Sequence, residues 1–562
     1  MPTTANPVIF VRMRSALGFV VVLNSTLALA QDPQQCTTYR SEVTLGVLSG
    51  HRIDSVAVET GSPNLGRHGR AIARLHVRSR PEIIRRELLF AVGDTVDTLR
   101  VAESLRRLRR LQFLERAHVE GRECPSPTGE VLSLHVVTRD SWTTRPDIKT
   151  GGNSPRVGLA ERNLLGTGQT FALSVVSHNR SLGAGVSTYD AFGFGTGMTT
   201  RGQYQRYYEG VIRGLSLSRR QSSVADPWRA EADFWDQNYE PKAPGTEQIE
   251  RTGGNFVAGI RAGPANSSHI FYLLGGVETE HTSLAASQQA QVLGPIRIDR
   301  RFTGPQLGLS VVSASYDTLT WVLPGGAIVD VPRTFEGEIV VGLGRGAISS
   351  VDADASVESI RSSLMTHYDA WVGREWLPNR STRIVTDLWA SGYDGDDWRS
   401  TRLRGAISAD HAATNGLWQL TLAAEQLTDP DPDVRALTIF DRALPFVPST
   451  VRLAESALTM SLDRTRHLHQ LWSSYELDGS VFGAIARRWD PAATTPTAEN
   501  FTVGVVGLSL AVAPRRPGRP TIRLDYGVPV TAGPGVRRAP RFGITLIPWL
   551  ETGRHRDKNG SF

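Results

Sequence analysis

Long apolar runs are missing from most of this 562-residue chain, and cysteine is nearly absent. No stretch of about 20 apolar residues follows Ala30, so the sequence predicts no helical membrane span there. The mature protein is therefore expected to be either soluble outside the cytoplasm or a transmembrane β-barrel, whose strands give a weaker hydropathy signal. The only cysteines, Cys36 and Cys124, form an even pair that predicts one disulfide in an exported protein, with two separate thiols as the alternative.

Motifs that carry catalysis or hold a cofactor are also missing. The sequence has no HExxH, GxSxG, P-loop or CxxC pattern, so we expect neither an enzyme nor a bound cofactor or metal. His467 and His469 alternate and could touch a metal ion, but a single HxH is more typical of a polar loop or lumen. Two acidic stretches, 393–398 and 428–433, lack the ligand spacing of a calcium loop and are interpreted as turns. The net charge of +6 is spread along the chain, which predicts no nucleic-acid partner.

The N-terminus carries an export signal. The stretch "MRSALGFVVVLNSTLALAQ" begins at Met13 and combines basic residues, a short apolar segment and the A-x-A site that ends at Ala30. These features predict a signal peptide over residues 1–30, with an uncleaved anchor as the alternative. Either Met1 or Met13 could be the start, because residues 1–12 add nothing that a signal needs.

Residues 51–142 have the pattern of a small α+β domain. "HRIDSVAVET" alternates as a strand, "RPEIIRRELLF" begins a helix at Pro81, and "LRVAESLRRLRRLQFL" spaces its apolar residues as a second helix. Two strands follow in "ERAHVE" and "EVLSLHVVTRD", which gives the order β-α-α-β-β. Four arginines of the second helix are interpreted as a solvated face rather than as a site for nucleic acid or anionic lipid: Arg106, Arg107, Arg109 and Arg110.

From about residue 150 onwards, short segments alternate apolar with small or polar residues. "FEGEIVVGL", "LWQLTLAA", "TIRLDYGV" and "RFGITLI" are examples, and period two indicates half-buried strands. Sixteen to eighteen such segments predict a mainly β protein whose antiparallel barrel has about 16 strands, while a β-sandwich or a propeller is the alternative. The polar stretch 218–254 is expected to be an outer loop. Aromatic residues near strand ends, including Trp389 and Tyr393, are expected to form an interfacial girdle.

The residues at the boundary of these two regions resemble a known family. "LLFAVGDTVDTLRVAESLRRLRRLQFLERAHVE" looks like a POTRA domain (polypeptide-transport-associated), and "GLAERNLLGTGQTFALSV" is similar to the start of the barrel in BamA/TamA-type outer-membrane proteins, the bacterial surface antigen family. Six residues match the family's barrel-start motif: Gly158, Glu161, Asn163, Leu165, Gly166 and Gly168. The family's late-loop R-G-F/Y motif has its nearest match at Arg404, without the aromatic residue, and a strand is the alternative there.

The resemblance implies an architecture and a location. It implies a signal peptide over 1–30, one periplasmic POTRA-like domain over 31–145, an outer-membrane barrel over 146–550 and a polar tail over 551–562. The expected partners are outer-membrane lipids, unfolded or extended client polypeptides and periplasmic accessory proteins.

The resemblance also implies that the protein helps to insert or move polypeptides without covalent chemistry. Clients would add strands to a domain edge at 115–120 and at a gate between the first barrel strand, about 155–162, and the last, about 541–547. Phe542, Ile544 and Leu546 are the gate residues expected on the last strand. The alternatives are a passive pore or transporter for lipids or one dedicated substrate, and a secreted soluble β-rich protein or enzyme.

Overall fold

A computed structural model of the protein describes residues 36–39, 46–63, 76–111, 113–126, 129–149, 156–178, 181–190, 198–207, 210–219, 226–239, 246–263, 269–286, 297–313, 315–320, 328–351, 358–379, 381–395, 399–413, 416–428, 456–471, 475–489, 501–514, 521–531 and 540–547. The signal peptide and the polar tail predicted at the two ends of the chain lie outside these residues. No helix among the described residues is long and apolar enough to cross a membrane.

The N-terminal domain is a four-stranded sheet covered by two helices. The sheet order is β1-β3-β4-β2, with β2 parallel to β4 and the other pairs antiparallel. Its elements are β1 (Thr37–Tyr39), β2 (Ser55–Gly61), α1 (Pro81–Arg86), α2 (Thr98–Arg110), β3 (Leu114–Ser126) and β4 (Gly129–Asp140). The predicted β-α-α-β-β order is present, and β1 is an additional strand at the edge of the sheet.

Local sequence explains the two helices. Pro81 occupies the first turn of α1, where its missing N–H costs nothing, and Asp97 caps α2 by accepting from the backbone N–H of Leu99 at 2.9 Å. The arginines in the last turn of α2 suit the negative end of the helix dipole. The apolar face of α2 packs into a core that includes Ile84, Leu108 and Leu134, all fully buried.

A disulfide joins Cys36 to Cys124, which pins β1 against β3. The two residues are 88 positions apart in the sequence. A cross-link that closes so long a loop removes conformational entropy from the unfolded chain. The short edge strand β1 is therefore held by a covalent bond as well as by its three residue pairs with β3.

Twenty strands form the second sheet, which is antiparallel throughout and curls into a barrel. A separate hairpin, β15 and β16, stands between barrel strands β14 and β17. The strands are β5 (Thr144–Lys149), β6 (Arg156–Glu161), β7 (Gln169–His178), β8 (Ser181–Asp190), β9 (Thr199–Tyr207), β10 (Gly210–Arg219), β11 (Trp228–Tyr239), β12 (Thr246–Ala262), β13 (His269–Ala286), β14 (Arg297–Ser313), β15 (Tyr316–Thr320), β16 (Ile328–Pro332), β17 (Glu336–Val351), β18 (Glu358–Asn379), β19 (Thr382–Gly395), β20 (Arg399–Ala413), β21 (Gly416–Thr428), β22 (Ser456–Leu471), β23 (Tyr475–Trp489), β24 (Phe501–Pro514), β25 (Thr521–Thr531) and β26 (Arg541–Ile547).

The sheet confirms the predicted fold class but has more strands than the expected 16. The stretch 218–254, expected to be a loop, contains β11 and much of β12. The charged residues Arg229, Glu231 and Asp233 misled the prediction, because they alternate with outward-facing residues and lie on the inner face of β11. Glu231 and Gln237 are buried, for example, while Phe234 is 56% exposed.

The barrel has two different ends. Because neighbouring strands are antiparallel, every second strand runs towards the N-terminal domain, beginning with β6, whose end adjoins that domain. Two-residue connections join β18 to β19 and β20 to β21 at this end. β21 ends, and β22 begins, at the opposite end. Two-residue intervals also separate β7 from β8 and β9 from β10 at the opposite end, so the expectation of short turns on one side only is wrong.

The barrel wall is apolar outside and polar inside. On β13, Phe271, Leu273 and Val277 are 40–57% exposed, whereas the alternating residues Tyr272 and Glu278 are buried. In a water-soluble protein, the apolar side chains of a strand face the interior and the polar side chains face the solvent. The exposed outer surface of this barrel is therefore unusually apolar.

Tryptophan and arginine pair on the outer surface at the end near the N-terminal domain. The guanidinium of Arg219 lies 4.1 Å from the ring centre of Trp228, that of Arg464 lies 4.7 Å from Trp418, and that of Arg374 lies 5.1 Å from Trp376. These pairs, on β10–β11, β21–β22 and β18, form a girdle at one level of the barrel. The aromatic rings provide an apolar surface, and the arginines reach towards polar surroundings.

Two of the residues predicted for the girdle lie elsewhere. Trp389 and Tyr393 are on β19 and point into the barrel, where the Trp389 Nε1 donates to Asp369 Oδ2 at 3.3 Å. Tyr393 reaches Glu280 on β13, which only an inward side chain can do, because β14, β17 and β18 stand between. The prediction was wrong because strand ends alone do not tell which face a residue takes.

Candidate functional site

The turn between β6 and β7 begins the joint between the N-terminal domain and the barrel. Glu161 Oε2 accepts a hydrogen bond from Thr144 Oγ1 at 2.6 Å, and Glu161 Oε1 accepts one from the backbone N–H of Asn163 at 3.0 Å. The buried Asn163 accepts at Oδ1 from the backbone N–H of Gly168 at 2.8 Å. These bonds close the turn and fix the direction in which the Asn163 side-chain amide points.

Asn163 joins the turn to a buried polar chain in the N-terminal domain. Its Nδ2 donates to Ser79 Oγ at 2.9 Å, and Ser79 Oγ donates to Asp140 Oδ1 at 2.8 Å. The backbone N–H of Ser79 donates to Asp140 Oδ2 at 2.7 Å, and His76 Nε2 lies 2.9 Å from the same oxygen. Asp140 is fully buried, so each of these contacts replaces water that the carboxylate has lost. This series of hydrogen bonds connects the N-terminal domain to the β6–β7 turn of the barrel.

Gly166 brings the two backbones into direct contact at this joint. Its carbonyl oxygen accepts from the backbone N–H of Arg80 at 3.0 Å, and a Cβ on Gly166 would lie 2.3 Å from the Arg78 carbonyl oxygen. Gly166 has a φ of +75°, which favours glycine. Leu165 also has a positive φ, +53°, the only such non-glycine residue described, and is 63% exposed. The motif residue Gly158 lies on β6, away from the joint.

A second contact lies on the hairpin β15–β16. The guanidinium of Arg106 on α2 lies 4.5 Å from the ring centre of Tyr316, and Tyr316 Oη donates to Glu336 Oε1 at 3.1 Å. Burial, followed by the nearby Glu336 carboxylate, raises the pKa of Tyr316 to about 12. The hydroxyl therefore keeps its proton near neutral pH. Arg106 is itself buried and paired with Glu103.

The contact at Tyr316 corrects the prediction that the arginines of α2 form a solvated face. Arg106 is only 5% exposed, and Arg107 Nε donates to Glu87 Oε2 at 2.7 Å. The helix pattern was right, but the hairpin that covers Arg106 comes from a part of the sequence about 200 residues away. No periodicity within the helix could show it.

The two contacts place the N-terminal domain across the mouth of the barrel. In the ring of twenty strands β6 and β7 are the second and third, whereas β14 and β17, which flank the hairpin, are the tenth and eleventh. These positions lie almost opposite each other. A domain that touches both therefore spans the opening between them.

The seam between β5 and β26 is the weakest strand pairing of the barrel. Six residue pairs join β5 to β6 and seven join β26 to β25, but within the described residues only Thr545 and Lys149 pair across the seam. The best-paired strands, β13 and β14, share seventeen pairs. The barrel therefore has one side at which most of two strand edges face each other without a ladder.

The seam differs from the predicted gate on one side. Residues 155–162, taken for the first strand, correspond to β6, which pairs with β5 and β7 and does not touch β26. The first strand of the barrel is β5, "TRPDIK". Its charged residues and proline obscure the alternation of polar and apolar residues by which a strand is recognised in a sequence. Phe542, Ile544 and Leu546 lie on β26 as expected for the last strand, and Phe542 is 84% exposed with its ring centre 4.7 Å from that of Tyr526.

A network of polar side chains lies on the inner face of the barrel wall, opposite the seam. Arg251 donates two hydrogen bonds to Glu280, at 3.1 and 2.8 Å, and Tyr393 Oη donates to Glu280 Oε2 at 3.3 Å. His367 stacks on Tyr393 with ring centres 4.5 Å apart and contacts Glu278. These residues come from β12, β13, β18 and β19. They brace the strands that lie halfway round the barrel from the seam.

Arg404 lies on β20 rather than in a loop that folds into the lumen. It pairs in register with Trp389 and with Glu425, and both pairings place it on the inner face of the wall. Glu425 is buried and forms an ion pair with Arg402. Arg404 and Gly405 therefore belong to a strand, which was the alternative considered in the sequence analysis.

Comparisons with known proteins give remote structural likenesses only. No family model matches the chain, and no curated protein matches it. The crystal structure of BamA from Haemophilus ducreyi lacking POTRA domains 1–3 is 12% identical, with a TM-score of 0.35 over 91% of this chain and 88% of that chain. CdiB from Escherichia coli is 10% identical, with a TM-score of 0.41 over 91% and 80%, and CdiB from Acinetobacter baumannii is 10% identical, with 0.37 over 91% and 77%. Scores of this size assign neither a family nor a function.

Gly166→Ala tests the joint. The added Cβ would meet the Arg78 carbonyl, and an L-residue at this φ costs about 1–2 kcal/mol, so we expect the N-terminal domain to detach from the β6–β7 turn. Spin labels at the exposed residues Leu99 and Arg399 should then give a broadened distance distribution in place of a single narrow one. Gly483→Ala is the matched control, because a Cβ there meets nothing within 4 Å. An unchanged distribution for Gly166→Ala would contradict this account of the joint.

Tyr316→Ala tests the second contact. It removes the ring beneath Arg106 and the hydrogen bond to Glu336, together worth about 1–3 kcal/mol, while the buried Arg106–Glu103 pair stays intact. We expect the same labels to report movement of the domain, with a smaller effect for Tyr316→Phe, which keeps the ring. Equal distributions for all three proteins would show that the hairpin does not hold the domain.

Proposed function

We propose that this protein is an outer-membrane barrel that assists the insertion or translocation of polypeptides, with the N-terminal domain in the periplasm as a single POTRA-like unit. The observation that carries the proposal is the seam between β5 and β26, which has one residue pair among the described residues, whereas the other neighbouring strands of the wall share at least six pairs each. The reversed polarity of the wall and the tryptophan–arginine girdle support a location in a lipid bilayer.

The proposed mechanism is strand addition at the seam. In a bilayer, an unpaired backbone N–H or C=O costs several kcal/mol, so the free edges of β5 and β26 favour any strand that can pair with them. An extended client polypeptide supplies such a strand. Its side chains would alternate between lipid and lumen as those of the neighbouring strands do. No covalent step and no cofactor are required.

The N-terminal domain would receive clients before they reach the seam. Residues 121–123 of β3 pair with β1, and Leu114 and residues 116–120 pair with β4. The proposed docking segment 115–120 lies on the same strand, before the residues that pair with β1. An extended segment could add to it with the hydrogen bonds of an ordinary β-ladder. Outer-membrane lipids and periplasmic accessory proteins are the other partners that we propose.

A passive pore or a transporter for lipids or one dedicated substrate is the competing function. It would need a lumen that stays open. The span of the N-terminal domain across the mouth and the inner network at Glu280 and Tyr393 both favour a barrel that works at its seam rather than through a permanent channel. Conductance in planar bilayers separates the two, because a passive pore gives a stable open current.

A cysteine lock across the seam tests the proposed function. Lys149→Cys with Thr545→Cys would cross-link the one pair between β5 and β26 among the described residues, whereas Lys149→Cys with Arg156→Cys cross-links β5 to β6, which already share six pairs. Each double variant would replace the wild type in its host, and the proteins of purified outer membranes would be quantified. We expect the seam lock to reproduce the losses seen on depletion of the protein, and the control lock to restore them.

The pattern of loss decides between the functions. A loss of many barrel proteins indicates general assembly, and a loss of one or a few indicates a dedicated exporter. The proposal would be overturned if depletion changed no outer-membrane or secreted protein, or if the reduced and oxidised seam lock supported the same proteome.

A further inference from the structure

A group of three potential metal ligands lies inside the barrel at the end of β22 and the start of β23. His467 Nδ1 is 3.3 Å from Asp478 Oδ1 and 3.6 Å from Glu476 Oε2. The ligand atoms of the three residues all lie within 4.8 Å of one another. The Asp478 side chain is 6% exposed and that of Glu476 is 17% exposed, so both carboxylates are largely shielded from water.

A β-bulge creates this group. The register shifts between His467 and His469, so that His467 pairs with Asp478 while His469 pairs with Leu477. A shift of one residue moves a side chain to the other face of a sheet, and the two histidines therefore point to opposite sides of the wall. The bulged Leu468 lies over Gly479, where a Cβ would come within 2.8 Å of its methyl group. The absence of a side chain at Gly479 thus leaves room for the bulge.

The distances suit a metal ion as well as they suit the hydrogen bond between His467 and Asp478. Ligand atoms about 2.1 Å from a tetrahedral zinc ion lie about 3.4 Å from one another, close to the two separations measured at His467. Imidazole nitrogen with carboxylate oxygens is a common ligand set for Zn²⁺. Two carboxylates against one imidazole also leave the group with net negative charge in either protonation state of the histidine.

We propose that His467, Glu476 and Asp478 bind a divalent transition-metal ion, with zinc as the ion that fits best and water completing its coordination. The site lies at the end of the lumen that faces the N-terminal domain, because β22 is an even-numbered strand of the ring and runs towards that domain. The ion ties β22 to β23 next to the barrel mouth. This site differs from the one considered from sequence, since His469 takes no part in it.

Zinc binding to the untagged full-length protein tests the proposal. The protein is kept in detergent micelles, freed of metal with a chelator, and titrated with Zn²⁺ in a calorimeter. We expect one equivalent to bind, and His467→Ala and Asp478→Asn to weaken binding by more than about tenfold. His469→Ala is the matched control, because it removes a histidine from the same strand on the opposite face, and it should bind as the wild type does.

A second measurement identifies the ligands. Co²⁺ in place of Zn²⁺ should give the visible absorption of a protein-bound ion in the wild type and in His469→Ala, and lose it in His467→Ala. Heat-dependent gel mobility shows whether each barrel is folded, and Glu476→Gln replaces any variant that is not. The proposal is overturned if the wild type binds no Zn²⁺, or if removal of His467 leaves binding unchanged or has the same effect as removal of His469.

Discussion

Complete pairing of the backbone is the constraint on which this barrel depends. A strand surrounded by lipid has no water to satisfy its N–H and C=O groups, so it must form hydrogen bonds with the strands on both sides. Most of the wall meets this requirement over long ladders, as β13 and β14 do with seventeen pairs. The seam between β5 and β26 does not, with one pair among the described residues. Under the proposed function, a client strand would pair at this seam.

The rest of the structure makes an isolated weak seam tolerable. The inner network of Arg251, Glu280, His367 and Tyr393 links strands that lie halfway round the ring from the seam. The N-terminal domain is held near the seam by the buried chain that ends at Asn163. The hairpin at Tyr316 holds it on the far side.

The sequence predicted the architecture because period two and period 3.6 are local properties. It identified the α+β unit, the barrel, and a turn at Glu161 and Asn163 that the structure places at the joint between the two. It did not identify Ser79, which bonds Asn163, or Asp140, which bonds Ser79, because the local pattern around a single polar residue gives no sign that the residue is buried. α1 ends at Arg86, earlier than the apolar spacing had suggested, and Phe90 beyond it packs into the core.

Strand pairing, the face taken by each side chain and the burial of Arg106 could not be predicted for a different reason. β5 and β11 carry charged residues that resemble those of loops, although Arg229, Glu231 and Asp233 of β11 lie on the inner face of the wall. The face taken by Trp389 or His467 depends on register, and a single bulge reverses it. The burial of Arg106 depends on a hairpin that follows ten barrel strands. Such properties are set by which strands become neighbours, and that is decided by the whole sheet.

Hydrogen–deuterium exchange of the protein in lipid nanodiscs tests the central claim most directly. Amide exchange depends on how often a hydrogen bond opens, so each strand reports its own pairing. The account predicts fast exchange for peptides that cover β5 and β26 and strong protection for β13 and β14 in the same sample. Equal protection of the four strands would show that the seam is as firmly paired as the rest of the wall, and would contradict a gate at this position.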